Sequence, residues 1–382
     1  INPYLLQLWD DIFHLCRRYD LKILLTPYDT FWMWNHWRHH PYNKMNGGPC
    51  GSRNQWLLCP DTRERIKRRF DFVTQRWGGD GTILAWDLWN ESHPAHAANS
   101  AEGLWEFVED ISSHLRNTEQ RLHGASHLQT VSVFLPVIAG DKRIADVVYR
   151  HPCLDMANIH LYEHGTIDDP RNTVDPAVST GKLIAQAIAE VPSGRAVFDS
   201  EHGPIHAFKD RHQPLSEEVD DEYFRHIQWA HLATGAAGGG MRWPNRNPHT
   251  LTSGMRQAQK VLADFLAYVD WTRFRRRSLT GKLTVVPAGI ECFGCADPAQ
   301  AIVYLLRRDT LQRNGMLNRS APPVQVNLRI PGLEPGAYRI TAWDTVSGFR
   351  EQFDLPQFSG ETMSVDVPPF VADVALAIVR RR

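Results

Sequence analysis

The sequence lacks the features that define several large protein classes. No stretch of its 382 residues approaches the ~20 consecutive apolar residues that a membrane-spanning helix needs. Long blocks of one charge are also absent, because 42 Lys and Arg residues are matched by 43 Asp and Glu residues. Short basic clusters, at 273–277 and 380–382, are typical of a solvated surface. These absences argue against a membrane protein and against nucleic-acid binding as the main role.

Signals for metal and nucleotide chemistry are weak as well. Despite 18 histidines, the sequence has no His-Glu-x-x-His motif and no His-x-His at the end of an early strand. The Gly-rich stretch 78–81 precedes a strand rather than a helix, so it does not fit a phosphate-binding loop. Six cysteines are too few for a disulfide scaffold, although Cys50 and Cys59 could form one loop disulfide. We expect neither a metal nor a cofactor.

The start of the sequence carries no recognisable signal peptide and no initiator Met. We therefore expect a processed, trimmed or partial chain. A secreted or periplasmic location is favoured over the cytoplasm.

Aromatic residues are abundant, with 13 Trp, 10 Tyr and 16 Phe. Many lie in a long segment at 26–60 that is predicted to be irregular, including Trp32 and Trp34. Loops of this length inside a compact domain are usually functional. Because aromatic rings cover the flat faces of sugars at little entropic cost, the segment is predicted to line a carbohydrate-binding cleft.

The middle of the sequence alternates between predicted strands and predicted helices, which is typical of parallel β/α units. Six strands are predicted, at 21–25, 82–89, 131–135, 155–161, 196–200 and 238–243. The helices are predicted at about 3–19, 61–77, 102–122, 142–150, 177–190, 216–234 and 249–268. A closed (β/α)₈ TIM barrel needs eight strands, so the predicted fold class is an incomplete α/β barrel.

The C-terminal part has a different pattern. Short apolar runs with period-2 alternation are separated by Gly and Pro turns from about Leu279 onward, which predicts a small antiparallel β-sandwich. We therefore predict two domains, a catalytic barrel-like domain at 1–275 and an accessory sandwich at 280–382.

Two predicted strands lead into a glutamate, in Trp86-Asp87-Leu88-Trp89-Asn90-Glu91 and in Val197-Phe198-Asp199-Ser200-Glu201. Functional residues of parallel β/α arrays collect at the carboxyl ends of strands. Glu91 and Glu201 are therefore predicted to meet across the mouth of the barrel. A pair of carboxylates is what glycosidic bond cleavage requires, with retention expected at a separation of ~5–5.5 Å and inversion at ~6.5–9.5 Å.

Four further side chains are candidates for binding the substrate. Asn90 carries an amide suited to a sugar hydroxyl. His160 and Tyr162 are two residues apart on one predicted strand, so they share a face. Trp243 ends the last predicted strand and is a candidate sugar platform. For each of these residues, an ordinary core or turn role is the alternative interpretation.

Taken in order, these motifs resemble those of the retaining clan A glycoside hydrolases, most closely the family 5 cellulases and mannanases. Trp89-Asn90-Glu91 resembles the fourth-strand motif of that clan, and Asp199-Ser200-Glu201-His202-Gly203 resembles the seventh-strand segment. His160-Leu161-Tyr162 and Trp243 resemble the sixth- and eighth-strand motifs. The resemblance covers about residues 5–270. It implies Glu91 as acid/base and Glu201 as nucleophile, with Tyr162 contacting the nucleophile and Trp243 flooring the subsite that holds the cleaved sugar.

The resemblance also has a gap, because the first two strands of the clan pattern and an arginine near the second strand have no counterpart. We expect self-association that covers the open side of the barrel, since an exposed sheet edge favours pairing. The expected substrate is an oligosaccharide, a polysaccharide or an aryl glycoside, with a β-gluco, β-manno or β-galacto sugar. A non-catalytic carbohydrate-binding protein on a degenerate barrel and a metal-dependent hydrolase are the alternatives.

Overall fold

The computed structural model describes residues 2–205, 215–243 and 251–381. This part of the chain folds into two compact units. Residues 1–160 and 191–196 belong to one unit, and residues 161–190 and 197–382 belong to the other. The predicted division into 1–275 and 280–382 stays a prediction.

The N-terminal unit has alternating helices and parallel strands. Its helices are α1 (Pro3–Arg18), α2 (Thr30–Asn35), α3 (Pro60–Trp77), α4 (Ala101–His123), α5 (Leu135–Gly140) and α6 (Lys142–Arg150). Its strands are β1 (Ile23–Leu25), β2 (Ile83–Asp87), β3 (Leu128–Thr130), β4 (Ser132–Phe134) and β5 (Met156–Leu161), the last residue of which belongs to the other unit. Short 3₁₀ helices occur at Trp37–His39, Lys44–Asn46 and Pro94–Ala97.

Local sequence signals explain the ends of these helices. The side chain of Asn2 accepts a hydrogen bond from the Tyr4 N–H, and Pro3 opens α1. Ser100 caps α4 in the same way, and Gly124 ends α4 in the left-handed conformation that glycine adopts most easily. The predicted helices therefore differ from the observed ones by only a few residues at their ends.

Two groups of parallel strands organise this unit. Strands β1, β2 and β3 pair in that order, with Leu25 opposite Trp86 and Ala85 opposite Leu128. Strand β4 pairs with β5 and sets Phe134 opposite His160. The strand predicted at 131–135 corresponds to β4, and a second short strand, β3, precedes it across Val131. The break lets the same stretch of chain pair with β2 on one side and β5 on the other.

The segment 26–60 is more ordered than the sequence predicted. It contains α2 and two of the 3₁₀ helices. Helix α2 forms because the Asp29 carboxylate accepts the N–H of Trp32 at 2.8 Å and so caps the first turn. The prediction of an irregular segment was wrong for residues 30–35, because the helix-capping position of Asp29 was not recognised among the aromatic residues.

The second unit begins with helices and parallel strands and ends in antiparallel strands. Its helices are α7 (Asp175–Glu190), α8 (Glu217–Thr234) and α9 (Ser253–Leu266). Strands β6 (Ala196–His202) and β7 (Met241–Arg242) pair in parallel, with Glu201 opposite Met241. Strand β7 is shorter than the predicted 238–243, and the predicted residues 249 and 250 lie outside the described residues.

The antiparallel strands form two sheets. They are β8 (Arg277–Ser278), β9 (Thr284–Val286), β10 (Ile290–Ala296), β11 (Gln300–Arg307), β12 (Val324–Pro331), β13 (Gly336–Trp343), β14 (Arg350–Phe358), β15 (Thr362–Phe370) and β16 (Asp373–Arg380). One sheet has the order β14-β13-β16-β11-β10-β8, and the other has the order β15-β12-β9. The antiparallel character predicted for this region is confirmed.

Two large hydrophobic clusters lie in the described part of this unit. One contains residues of both antiparallel sheets, such as Leu305 and Val365. The other joins α7, α8 and α9 to the larger sheet, with Trp229 of α8 stacked near Tyr304 of β11 at 6.1 Å between ring centroids. Almost every residue of α8 from Asp220 onward is buried, because the helix packs against α7, α9 and the sheet. The helices and the sheet therefore share one core.

No helix in the described ranges is both long and apolar enough to cross a membrane.

Candidate active site

The chain between β2 and Glu91 is held by aromatic packing and by backbone hydrogen bonds, because the Leu88 N–H donates to the Thr130 carbonyl and the Asn90 N–H donates to the Tyr28 carbonyl. Strand β2 ends at Asp87, four residues before Glu91, so the predicted strand 82–89 is too long. Trp89 is buried and stacks on Tyr28 with ring centroids 5.0 Å apart and ring planes 6° from parallel. The ring of Trp56 also packs against Trp89, with ring centroids 3.9 Å apart. This packing fixes the turn that presents Glu91.

Asn90, a predicted substrate-binding residue, has partners within the protein on both ends of its amide. Its Nδ2 donates to the Asp29 carboxylate at 2.6 Å, and its Oδ1 lies 3.3 Å from the Ser132 hydroxyl. The Asn90 carbonyl also accepts the N–H of Thr30, the first residue of α2. The aromatic helix α2 is therefore tied directly to the residue that precedes Glu91.

Glu91 itself sits in a left-handed backbone conformation, with φ of +52°. Its N–H donates to the Ser132 hydroxyl at 3.0 Å. One carboxylate oxygen, Oε1, lies 2.9 Å from Nδ1 of His160, which is 1% exposed, whereas the Glu91 side chain remains 25% exposed. The structure thus brings the predicted residues Glu91, Asn90 and His160 together. A strained backbone that carries a partly exposed carboxylate is typical of a functional site.

Asp87 and Ser132, which hold the backbone around Glu91, were not identified from the sequence. Asp87 is 1% exposed and accepts two hydrogen bonds from Ser132, from the backbone N–H at 3.0 Å and from the hydroxyl at 2.7 Å. Burial raises the pKa of Asp87 to about 7, and the donors of Ser132, the N–H of Trp89 and the charge of His160 oppose this rise. The signal in the sequence was an acidic residue inside an otherwise apolar run, four residues before Glu91.

Glu201 lies on β6, one residue before the end of the strand. The Tyr162 hydroxyl donates to its Oε1 at 2.6 Å, and Tyr162 is 2% exposed. A buried hydroxyl that donates at this distance stabilises an ionised carboxylate. The structure therefore brings the predicted residues Tyr162 and Glu201 together.

The backbone of Glu201 is also held by an aspartate that sequence reasoning missed. Oδ1 of Asp199 accepts the Glu201 N–H at 3.1 Å, and Oδ2 lies 2.8 Å from Nδ1 of His202. Asp199 and His202 are both fully buried. As in the first glutamate segment, the signal was an aspartate within the apolar run that leads to the glutamate.

Trp243 directly follows β7 and is 42% exposed. Its N–H donates to the carbonyl of His202 at 2.6 Å. Gly203 permits this approach, because its φ is +153° and a Cβ at this position would lie 3.0 Å from the Trp243 carbonyl oxygen. The tryptophan is thus fixed through its backbone while much of its side chain faces solvent.

The aromatic face of α2 is solvent-exposed. Trp32 is 62% exposed and Phe31 is 61% exposed. Trp34 is 37% exposed, but the guanidinium of Arg53 lies 3.8 Å from the centroid of its ring and covers one face. Of the two tryptophans predicted to bind substrate, Trp32 therefore offers the more open ring.

Comparisons with known proteins bear on the fold. Neither a protein-family model nor a curated protein sequence matches the chain. Among solved structures, a glycoside hydrolase family 5 protein from Bacteroides vulgatus aligns with a TM-score of 0.50 at 11% identity, covering 83% of this chain and 67% of that one. The chain shares the fold of this glycoside hydrolase.

Other similar structures have lower scores. A further glycoside hydrolase aligns with a TM-score of 0.47 at 12% identity over 83% of this chain and 69% of that one. A family 30 endoxylanase from Clostridium papyrosolvens aligns with a TM-score of 0.47 at 10% identity over 84% and 72% of the two chains. The fold expected from the sequence motifs, that of the barrel glycoside hydrolases, is therefore confirmed on the basis of the family 5 structure.

Proposed function

We propose that the protein is a retaining glycoside hydrolase that cleaves β-glycosidic bonds of β-glucosides, β-mannosides or β-galactosides. The observation that carries the proposal is that each candidate glutamate has a buried, dedicated partner. Tyr162 donates to Glu201 at 2.6 Å, and His160 lies 2.9 Å from Glu91. The shared fold of a family 5 glycoside hydrolase supports the same conclusion.

The proposed reaction has two steps. In the first, the Glu201 carboxylate forms a bond to the anomeric carbon while the Glu91 carboxylic acid gives its proton to the departing glycosidic oxygen. In the second, the Glu91 carboxylate takes a proton from water as the water oxygen attacks the anomeric carbon and releases Glu201. No metal or cofactor takes part in this proposal.

The surrounding residues have proposed roles that match their exposure. Trp243 and Trp32 offer rings to sugar faces, since they are 42% and 62% exposed. Trp34 and Asn90 are proposed to contribute to substrate binding as well. We also propose that the fold is an incomplete barrel followed by a β-sandwich. Self-association stays a prediction, which light scattering over a range of protein concentrations would test.

The central experiment compares Glu91→Gln and Glu201→Gln with a control, Glu106→Gln, at an exposed position of α4. Each active-site change is expected to lower turnover of an aryl β-glycoside by roughly 10²–10⁴-fold or more, because a carboxamide neither ionises nor delivers a proton. The control should remain active. Product anomers followed by NMR should show retention. Near-normal turnover in either active-site variant would contradict the proposed roles.

A non-catalytic carbohydrate-binding protein is the second candidate. The exposed aromatic face of α2 favours it, because such a face binds sugars without any carboxylate chemistry. This candidate predicts that oligosaccharides bind while no reducing sugar is released by the wild-type protein. Chelator sensitivity of a measured activity would instead favour metal-dependent hydrolysis.

A further inference from the structure

We infer that Asp87 and Ser132 form a buried positioning pair that sets the location of the Glu91 carboxyl group. The inference rests on the proposed function, because it concerns how the acid/base residue is held. Neither residue touches the carboxyl group of Glu91 through its own side chain. Both act on the backbone that carries it.

The first link joins Asp87 to Ser132. The two carboxylate oxygens of Asp87 accept separate donors of Ser132, the N–H at 3.0 Å and the hydroxyl at 2.7 Å. Both residues are buried, so the contacts are shielded from water. The hydroxyl has one proton and two acceptors within reach, and Oδ2 of Asp87 at 2.7 Å is charged and nearer than Oδ1 of Asn90 at 3.3 Å, so the proton is directed to Asp87.

The second link joins Ser132 to Glu91. With its proton directed to Asp87, the hydroxyl oxygen presents its lone pairs to the Glu91 N–H at 3.0 Å. The Ser132 carbonyl accepts the next N–H, that of Ser92, at 2.8 Å. One residue therefore holds two consecutive backbone groups of the turn. Such a clamp explains how Glu91 stays at φ of +52°, a conformation that disfavours residues with a Cβ.

The cost of burying Asp87 supports a role in function. Burial raises the pKa of this carboxyl to about 7, even though Ser132, the N–H of Trp89 and the charge of His160 all favour its ionised form. An apolar residue at the end of β2 would avoid this penalty. Perturbed carboxyls of this kind cluster at functional sites.

The consequence for catalysis is specific. A general acid must meet the departing oxygen within hydrogen-bonding distance, and a shift of about 1 Å can cost ~10²-fold in rate. Protonation matters when the leaving group is a poor one, such as a sugar or alcohol. It matters little for dinitrophenolate, which departs without a proton. Loss of the contacts from Ser132 to the Glu91 turn should therefore slow the first step for a poor leaving group and change it little for dinitrophenolate.

The test uses Ser132→Ala and Asp87→Asn with a matched control, Ser112→Ala. Ser112 is also fully buried, and its hydroxyl lies 2.6 Å from Oε1 of Gln129 and 3.1 Å from the Cys153 carbonyl. We expect Ser132→Ala and Asp87→Asn to lower kcat/KM by about 10–100-fold on an oligosaccharide, because kcat/KM reports the first step, in which Glu91 acts as acid. On a dinitrophenyl β-glycoside the loss of kcat/KM should stay within about threefold, whereas kcat should fall because Glu91 still acts as base in the second step. The control should behave as the wild type on both substrates.

A second measurement does not depend on activity. In Ser132→Ala the Glu91 N–H loses its acceptor, whereas the Ser92 N–H keeps the backbone carbonyl of residue 132. Amide hydrogen exchange should accelerate at Glu91 relative to Ser92. Unchanged exchange at Glu91, or equal losses of kcat/KM on both substrates, would overturn the inference. If the wild type hydrolyses no glycoside, the proposed function fails and the positioning role in catalysis fails with it, whereas the exchange result reports separately on the clamp.

Discussion

Removal of the Tyr162 hydroxyl offers a sharp test of the proposed nucleophile. The ring of Tyr162 is 2% exposed, and its hydroxyl donates to Oε1 of Glu201 at 2.6 Å. Tyr162→Phe keeps the ring and deletes one hydrogen bond to a carboxylate. Hydrogen bonds to charged groups contribute about 1.5–3 kcal/mol. Since 1.36 kcal/mol corresponds to a factor of ten in rate, the expected effect is roughly 10–150-fold.

The affected step follows from the charge on Glu201. In the second step of the proposed reaction, Glu201 leaves the anomeric carbon and regains its negative charge, which the Tyr162 hydroxyl stabilises. In the first step this charge is lost, so the hydroxyl helps less. We therefore expect Tyr162→Phe to lower kcat by roughly 10–150-fold and to lower KM as the glycosyl-enzyme accumulates, while kcat/KM changes less.

The assay is stopped-flow release of dinitrophenolate from a dinitrophenyl β-glycoside. The variant should show a burst of about one product molecule per enzyme, followed by slow turnover. Tyr223→Phe is the matched control, because Tyr223 is fully buried and donates to the Ile167 carbonyl at 2.9 Å. The reasoning is refuted if kcat and KM of folded Tyr162→Phe stay within twofold of the wild type, or if kcat/KM collapses without a burst.

Three further predictions concern stability and binding. Asp373 is buried between Arg225 and Arg319, whose charges hold its pKa well below its usual range. Asp373→Asn should lower the free energy of unfolding by about 1.5–3 kcal/mol in urea melts at pH 7, because it removes the charged partner of both arginines while Glu222 still faces them; an unchanged midpoint would contradict this. Burial lowers the pKa of His231 to about 4. Because the folded state favours neutral His231, the free energy of unfolding should be highest above about pH 6.5 and should fall as the pH drops towards 4. In His231→Gln, this part of the pH dependence of the urea midpoint should be absent. Trp32→Ala should raise KM for oligosaccharides by about fivefold, equivalent to about 1 kcal/mol, with an unchanged melting temperature because the ring is 62% exposed; equal KM values would refute the platform role.

Local sequence patterns predicted most of the helices. Asn2 followed by Pro3 marks the start of α1, and Ser100 with Gly124 brackets α4. Such caps act within one turn of the helix, so a few neighbouring residues are enough to recognise them. The antiparallel character of the C-terminal strands was equally local, because alternating burial follows from the period of two along a strand.

The ends of the strands were less predictable. Leu88 and Trp89 are as buried as the strand that precedes them, yet β2 stops at Asp87. Trp89 is buried by ring packing with Tyr28 and Trp56, although the Leu88 N–H still donates to the Thr130 carbonyl beyond the end of the strand. Hydrophobicity alone does not distinguish these two environments, because both remove the side chain from water.

The sequence by itself determined which residues carry candidate chemistry. Glu91 and Glu201 stand out because each ends an apolar run, and a glutamate in that position is unusual whatever surrounds it. The neighbours Asn90, His160, Tyr162 and Trp243 could be nominated for the same reason, from their position next to a predicted strand end.

Only the tertiary structure decided how those residues are held. Ser132 reaches Asp87 across 45 residues of sequence, and His160 reaches Glu91 across 69. These hydrogen bonds depend on the register between strands and on where each strand stops, to within a fraction of an ångström. Composition and periodicity carry no information at that scale, since a shift of one residue along a strand turns every side chain to the other face.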